Sequence, residues 1–229
     1  MANIPKIEEM LKAGMHFGHR TNRWHPKMEP YIFGAKNGVY IIDLKKSQQK
    51  LKEALEFIFQ LASEGKSILF VGTKSQVAGP LKKMAQESGQ AYIVGKWLGG
   101  YLTNFAVVKR SVKKYLDLLE KREAGKLEKY TKKERLNFDR EIKKLEARVG
   151  GVSALSKLPD ALFIWDTKEE ATAVKEARQK NIPIIAVCDT NVNPEEVNYP
   201  IPANDDSTKT IELILEAVKS TLLAANEKK

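Results

Sequence analysis

The sequence predicts an α/β fold, a doubly wound parallel sheet of about five strands of the flavodoxin or Rossmann kind, with an inserted antiparallel coiled-coil helical hairpin. Three observations carry this. Short apolar runs alternate with stretches of helical periodicity in both halves of the chain. Between the halves lies a stretch from about 104 to 149 with helical periodicity and no strand signal. The helical stretches are also long enough to cross from one strand to the next, and right-handed crossovers leave few topologies open. Residues 1–103 and 150–229 are expected to form the α/β unit with an N-terminal extension, and residues 104–149 the hairpin.

The opening "KIEEMLKAG" reads as a short amphipathic helix stopped by Gly14. The next stretch, "HFGHRTNRWHPKMEPYIFG" at 16–34, holds all three histidines and is broken by Pro26 and Pro30, so it reads as irregular. "YIF" and "VYIID" are β-prone, and the Asn37-Gly38 pair between them tolerates the positive φ of a tight hairpin turn. Leu51, Ala54, Leu55, Ile58 and Leu61 then mark a helix over about 45–63. "SILFV" at 67–71 is too apolar to alternate and predicts a strand buried on both faces. Helix "SQVAGPLKKMAQESG", weakened by Gly79 and Pro80, and strand "AYIV" complete a βαβ unit. After the insertion come strand "DALFIW" (160–165), a helix over 168–180, strand "IPIIAV" (182–187), a turn region, and a closing helix over about 206–225.

Within the insertion, Val108, Val112, Tyr115 and Leu119 step by 4, 3, 4, and so do Phe138, Ile142, Leu145 and Val149. This is the spacing of a coiled-coil seam. Thr131 and Glu134 form a capping box that starts the second helix. Two heptads are too few to hold alone, so the base of the hairpin must be tied to the sheet.

Charge divides the chain. Residues 1–150 carry 30 Lys and Arg against 16 Asp and Glu, whereas residues 151–229 carry 9 against 13. Residues 106–150 alone hold 15 against 8, including "KRSVKK". A basic front and an acidic rear suit separate partners, and a folded polyanion is the leading candidate for the front. A solvated lysine-rich surface and a hairpin that binds a partner helix are the alternatives. Cys188 is the only cysteine, which excludes an intrachain disulfide and a cysteine-based zinc site. The opening residues lack the apolar core of a signal peptide and no run approaches the length of a membrane span, so a cytoplasmic protein is expected.

Candidate chemistry is sparse. "FVGTK" at 70–74 resembles part of a phosphate loop, but the G-x-x-x-x-G-K-[ST] and G-x-G-x-x-G spacings are absent. Lys74, at a strand's carboxyl end, reads instead as a phosphate-backbone contact. In "GKWLGGYLTNF" at 95–105, Trp97 is expected to pack and Asn104 or Thr103 to cap the first hairpin helix. His16 and His19 would share one face if helical. Asp166, Asp189 and Asp205-Asp206 end late elements, with Asp205 or Asp206 also suited to cap the last helix. A hydrolase of His16, Asp189 and Asp206, or another small-molecule enzyme on the sheet edge, is conceivable. No nucleophile motif such as G-x-S-x-G supports one, and no catalytic residue is assigned.

Several segments, in order, resemble the bacterial small-subunit ribosomal protein S-two family over nearly the whole chain: "LKAGMHFGHRTNRWHPKMEPYIFG", "ILFVGTK", "WLGGYLTN", "YTKKE", "LPDALF", "DTN" and "IPANDD". The resemblance implies a five-stranded parallel α/β fold with an inserted helical hairpin and no enzymatic activity. It also implies binding to 16S ribosomal RNA and support for the neighbouring ribosomal protein S-one, with no membrane or small-molecule partner. His25 and Ala203 stand where that family more often has Asn and Gly. Some similar proteins hold zinc between an N-terminal histidine and late aspartates, which here implies His16 or His19 with Asp189, Asp205 and Asp206. No cofactor is otherwise required. With that resemblance, the expected RNA contacts are Arg20, Arg23, Lys27, Lys74, Lys96, Asn104, Lys109, Arg110, Lys113 and Lys114.

Overall fold

A computed structural model describes residues 4–227. Helix α1 (Ile7–Lys12) ends where Gly14 takes a φ of +75°. Strand β1 (Phe17–Arg20) follows, then a 3-10 turn at Pro26–Tyr31, and the hairpin of β2 (Ile32–Lys36) and β3 (Val39–Ile42). Asn37 and Gly38 both adopt positive φ, 52° and 74°, the pair of left-handed residues that a two-residue turn between twisted strands requires. The "FGHR" segment at 17–20 is therefore extended, not irregular. It pairs antiparallel with β3 to give a small sheet of order β1-β3-β2. Its partner lies beyond the two prolines, so no local pattern marks it.

The main sheet is built from β4 (Ile68–Val71), β5 (Ala91–Ile93), β6 (Ala161–Trp165), β7 (Ile184–Cys188) and β8 (Tyr199–Pro202), all parallel, in the order β5-β4-β6-β7-β8. The fifth strand, "YPIP", lies in the stretch expected as a turn region. Prolines are tolerated there because β8 is an edge strand bonded on one side only.

Side chains alternate across the sheet into two apolar cores. Ile68, Phe70, Phe163, Trp165, Ile185 and Val187 face one core with α2 (Leu44–Ser63), α3 (Ser75–Glu87) and α7 (Thr208–Asn226). Leu69, Val71, Leu162, Ile164, Ile184 and Ala186 face the other with α6 (Ala171–Gln179) and the base of the insertion. This explains the unbroken apolar runs: both faces of β4, β6 and β7 are covered, so neither needs polar residues. Pro80 sits inside α3 without ending it. Val77, Leu81 and Met84 pack that helix into the core and outweigh the missing hydrogen bond.

The insertion comprises α4 (Phe105–Glu123) and α5 (Lys132–Val149), packed against each other. Tyr115, Leu118, Ile142 and Val149 are buried between them and the sheet, with Val108, Val112, Leu119, Phe138 and Leu145 partly buried alongside. The Thr131–Glu134 capping box is present. At the other end Asn104 is the cap position of α4 but its side chain makes no capping bond.

Candidate functional site

The strand order reverses beside β4, the place where an open parallel sheet leaves a crevice at its carboxyl ends. β4 runs into Gly72, where an added Cβ would lie 2.7 Å from Val77 Cγ1, so only glycine lets α3 start so close to the strand. Lys74 follows as the cap position of α3. Its ammonium lies 2.8 Å from Asp166 Oδ2, 2.9 Å from Asp205 Oδ2 and 3.0 Å from Asp206 Oδ1. Burial opposes its charge, but these carboxylates more than offset that and raise its pKa. The expectation that Lys74 reaches out to a phosphate is corrected accordingly: its charge is neutralised within the crevice.

The acids come from three strand ends. Asp166, after β6, holds a φ of +66° and accepts a hydrogen bond from the Lys168 amide, which turns the chain toward α6. Asp189, after β7, accepts from the Thr190 hydroxyl and meets His19 Nδ1 at 3.1 Å. Asp205, after β8, is fully buried, and its Oδ1 has no hydrogen-bond partner among the described residues. Burial and the charges of Asp189 and Asp166 push its pKa up to about 7, against the pull of Lys74. Neither Asp205 nor Asp206 caps α7. Ser207 does, accepting from the Thr210 amide, because Asp205 is turned inward and Asp206 onto Lys74.

The N-terminal segment closes the crevice. The His19 amide donates to Thr190 Oγ1 at 2.8 Å and the His25 amide to the Thr190 carbonyl. An added Cβ on Gly18 would lie 2.5 Å from Thr190 Cγ2, so glycine is required for β1 to dock on the end of β7. Asn204 in turn donates to the carbonyls of Met15 and Gly14.

His19, Asp189 and Asp205 each bring one ligating atom within 4.8 Å of the others. The hydrogen bond and charge of Asp189 raise the His19 pKa, opposed by burial. His16 is not in this cluster. It lies in the turn before β1, outside the strand that carries His19, and its ring lies 4.0 Å from that of Phe17. Asp206 is the exposed partner of Lys74. His25 accepts from the Lys27 amide at the start of the 3-10 turn.

The remaining expected contacts lie on the surface. Arg20, Arg23, Lys96, Arg110 and Lys113 are exposed and make no ion pair among the described residues. Lys27 pairs with Glu195, Lys114 pairs with Glu141 across the hairpin, and Lys109 lies 5.7 Å from the Phe105 ring centre. Such exposed pairs hold by at most about 1 kcal/mol and release readily to a stronger anion. Asn104 is exposed, whereas Trp97 is buried, with its indole N–H donating to Glu176. Trp24 packs beside Tyr40.

The chain matches the family model "Ribosomal protein S2" over residues 10–225. The chain belongs to the ribosomal protein S2 family. The small ribosomal subunit protein uS2 of Coprothermobacter proteolyticus is 44% identical over 224 residues, 98% of this chain and 84% of that protein. That of Chlorobaculum tepidum is 48% identical over 221 residues, 96% of this chain and 88% of its own. That of Koribacter versatilis is 46% identical over 99% of this chain and 75% of its own. As a member of that family the chain is a structural constituent of the small ribosomal subunit, not an enzyme, and is cytoplasmic. No helix among the described residues is long and apolar enough to cross a membrane. In the crevice Lys74 bonds to the acids after β6 and β8, while the N-terminal segment is held at its rim by Asp189, Thr190, Asn204, Ser207 and Thr210.

Sequence reasoning missed three residues here. Glu176, Thr190 and Gly18 act through contacts with residues far along the chain; Gly18 and Thr190 lie within segments that carry the family resemblance, but periodicity and spacing assign none of the three a role.

Proposed function

We propose that this S2-family protein grips 16S rRNA through its basic N-terminal segment and the outer face of α4, while its acidic C-terminal third supports the neighbouring ribosomal protein S-one. The observation that carries this reading is the set of exposed, unpaired cations, Arg20, Arg23, Lys96, Arg110 and Lys113, in the basic part of the chain. Lys27, Lys109 and Lys114 join them, their weak surface partners giving way to phosphates, and Asn104 adds a hydrogen-bonding amide at the foot of α4. Recognition is by shape and phosphate position, since the deep groove of A-form RNA hides base edges from side chains. Neutralising Lys109, Arg110, Lys113 and Lys114 together weakens binding to purified 16S rRNA and lowers the slope of log affinity against log salt by about 3. An unchanged slope removes α4 from the interface.

The same reading gives His19, Asp189 and Asp205 a zinc ion. One imidazole and two carboxylates whose ligating atoms lie within 4.8 Å of one another, with an orphaned buried oxygen on Asp205, fit the N/O donor set of zinc. There the ion supplies positive charge that ties the N-terminal segment to the strand ends. Elemental analysis of the purified protein at neutral pH finds about one zinc per chain, reduced in His19→Ala; protein free of zinc dismisses the assignment.

A further inference from the structure

Where the hairpin meets the sheet, a cleft of about 550 Å³ opens between α3, β5 and the end of α5. Its walls carry Lys82 from α3 and Lys143 and Arg148 from α5, against one acid, Glu146. Lys82, Lys143 and Arg148 are exposed and make no ion pair among the described residues. Tyr92 and Tyr115 line the interior, Tyr92 half-buried with its hydroxyl accepting from Gln86. Gly150 and Gly151 complete it, and an added Cβ on Gly151 would lie 2.2 Å from the Tyr92 carbonyl oxygen. The hairpin foot thus rests directly on the edge strand, which fixes the cleft's width.

We propose that this cleft receives an unpaired nucleotide of a single-stranded RNA segment. The inference rests on the reading that the chain binds rRNA, and adds where and in what form. Three cations around a concave, partly aromatic floor match a phosphate beside a base, because phosphate takes the charge and any base has an apolar face to lay on tyrosine. A duplex does not suit it: paired strands present a broad ridge of phosphates that rests on open surfaces such as the outer face of α4 and does not reach the floor of a concave site. The volume lies in the range of pockets that enclose small ligands. Because α3, β5 and α5 all contribute, an occupied cleft also fixes the hairpin's angle to the sheet.

Two measurements on the full chain with purified 16S rRNA test this. Lys82→Gln with Lys143→Gln lowers the salt slope by about 1.4, two single-strand phosphates' worth, whereas Lys52→Gln with Lys209→Gln, an equal charge change elsewhere, leaves it unaltered. An unchanged slope in the first pair while the α4 variant still weakens binding overturns the cleft and leaves the wider reading standing. Failure of both series overturns the wider reading. For position, Gln86→Cys carries an iron chelate that cleaves nearby RNA; Cys188 is fully buried and does not compete for the label. Cuts clustered at unpaired nucleotides are expected, and cuts confined to duplex, or none, overturn the proposal.

Discussion

The carboxylate of Glu176 ties α6 to the loop that leads into the hairpin. It accepts from the Trp97 indole, the amides of Gly100, Leu102 and Thr103, and the Thr103 hydroxyl, at 2.7–3.1 Å. Burial works against its ionisation, but the bonds from Gly100, Thr103, Trp97 and Leu102 outweigh it and hold its pKa below the ordinary value. A carboxylate whose pKa is lowered in the folded state adds stability above the ordinary range and loses it as pH falls through the folded value. Glu176→Gln therefore costs about 3 kcal/mol at neutral pH, since an amide cannot accept from all five donors, and flattens the acid side of the stability curve. Urea unfolding between pH 3 and pH 7, on the order of one pH step at a time, checks both. In the sequence, Glu176 is the one acid of α6 and no motif marks it; its role exists only because the Gly99-Gly100 turn brings a row of amides to it.

At the scale of elements, the hairpin shows how far local pattern reaches. The 4, 3, 4 spacing picks out residues that the structure buries or half-buries, and the capping box stands where it was placed. Leu118, outside the spacing, is also buried. Ile142 is 2% exposed at its centre. Ile142→Ala costs about 3 kcal/mol, and hydrogen exchange shows the loss in α4 and α5 before β4, β6 and β7 lose protection. Global loss of protection at once would mean the hairpin and the sheet unfold as one unit. β1 and β8 were the elements not legible in advance. Each is short, flanked or filled by proline, and held by one neighbour, so its hydrogen-bonding partner and not its own composition makes it a strand.

For the whole molecule, the governing fact is the split between a chain front with 30 cations and 16 acids and a rear with 9 and 13. If six to ten phosphates are neutralised, raising salt from about 50 mM to 200 mM lowers rRNA affinity by roughly 10³ to 10⁵, measurable by filter binding; a near-flat response means that contacts other than phosphate dominate. The sequence by itself determined the α/β class, the two helical stretches of the insertion with the Thr131–Glu134 cap, and the charge split, because periodicity, turn residues and composition are local or additive properties; the family was carried by the resemblance of ordered segments. Only the tertiary structure decided that Lys74 is a counter-ion among Asp166, Asp205 and Asp206, that His19 and not His16 meets Asp189, and that a cationic cleft lies at the hairpin's foot. The first two depend on which strand ends meet at the crevice and on how the N-terminal segment crosses them, through contacts such as His19–Thr190 and Lys74–Asp205 between residues more than a hundred positions apart, and the cleft depends on how the insertion docks on α3 and β5.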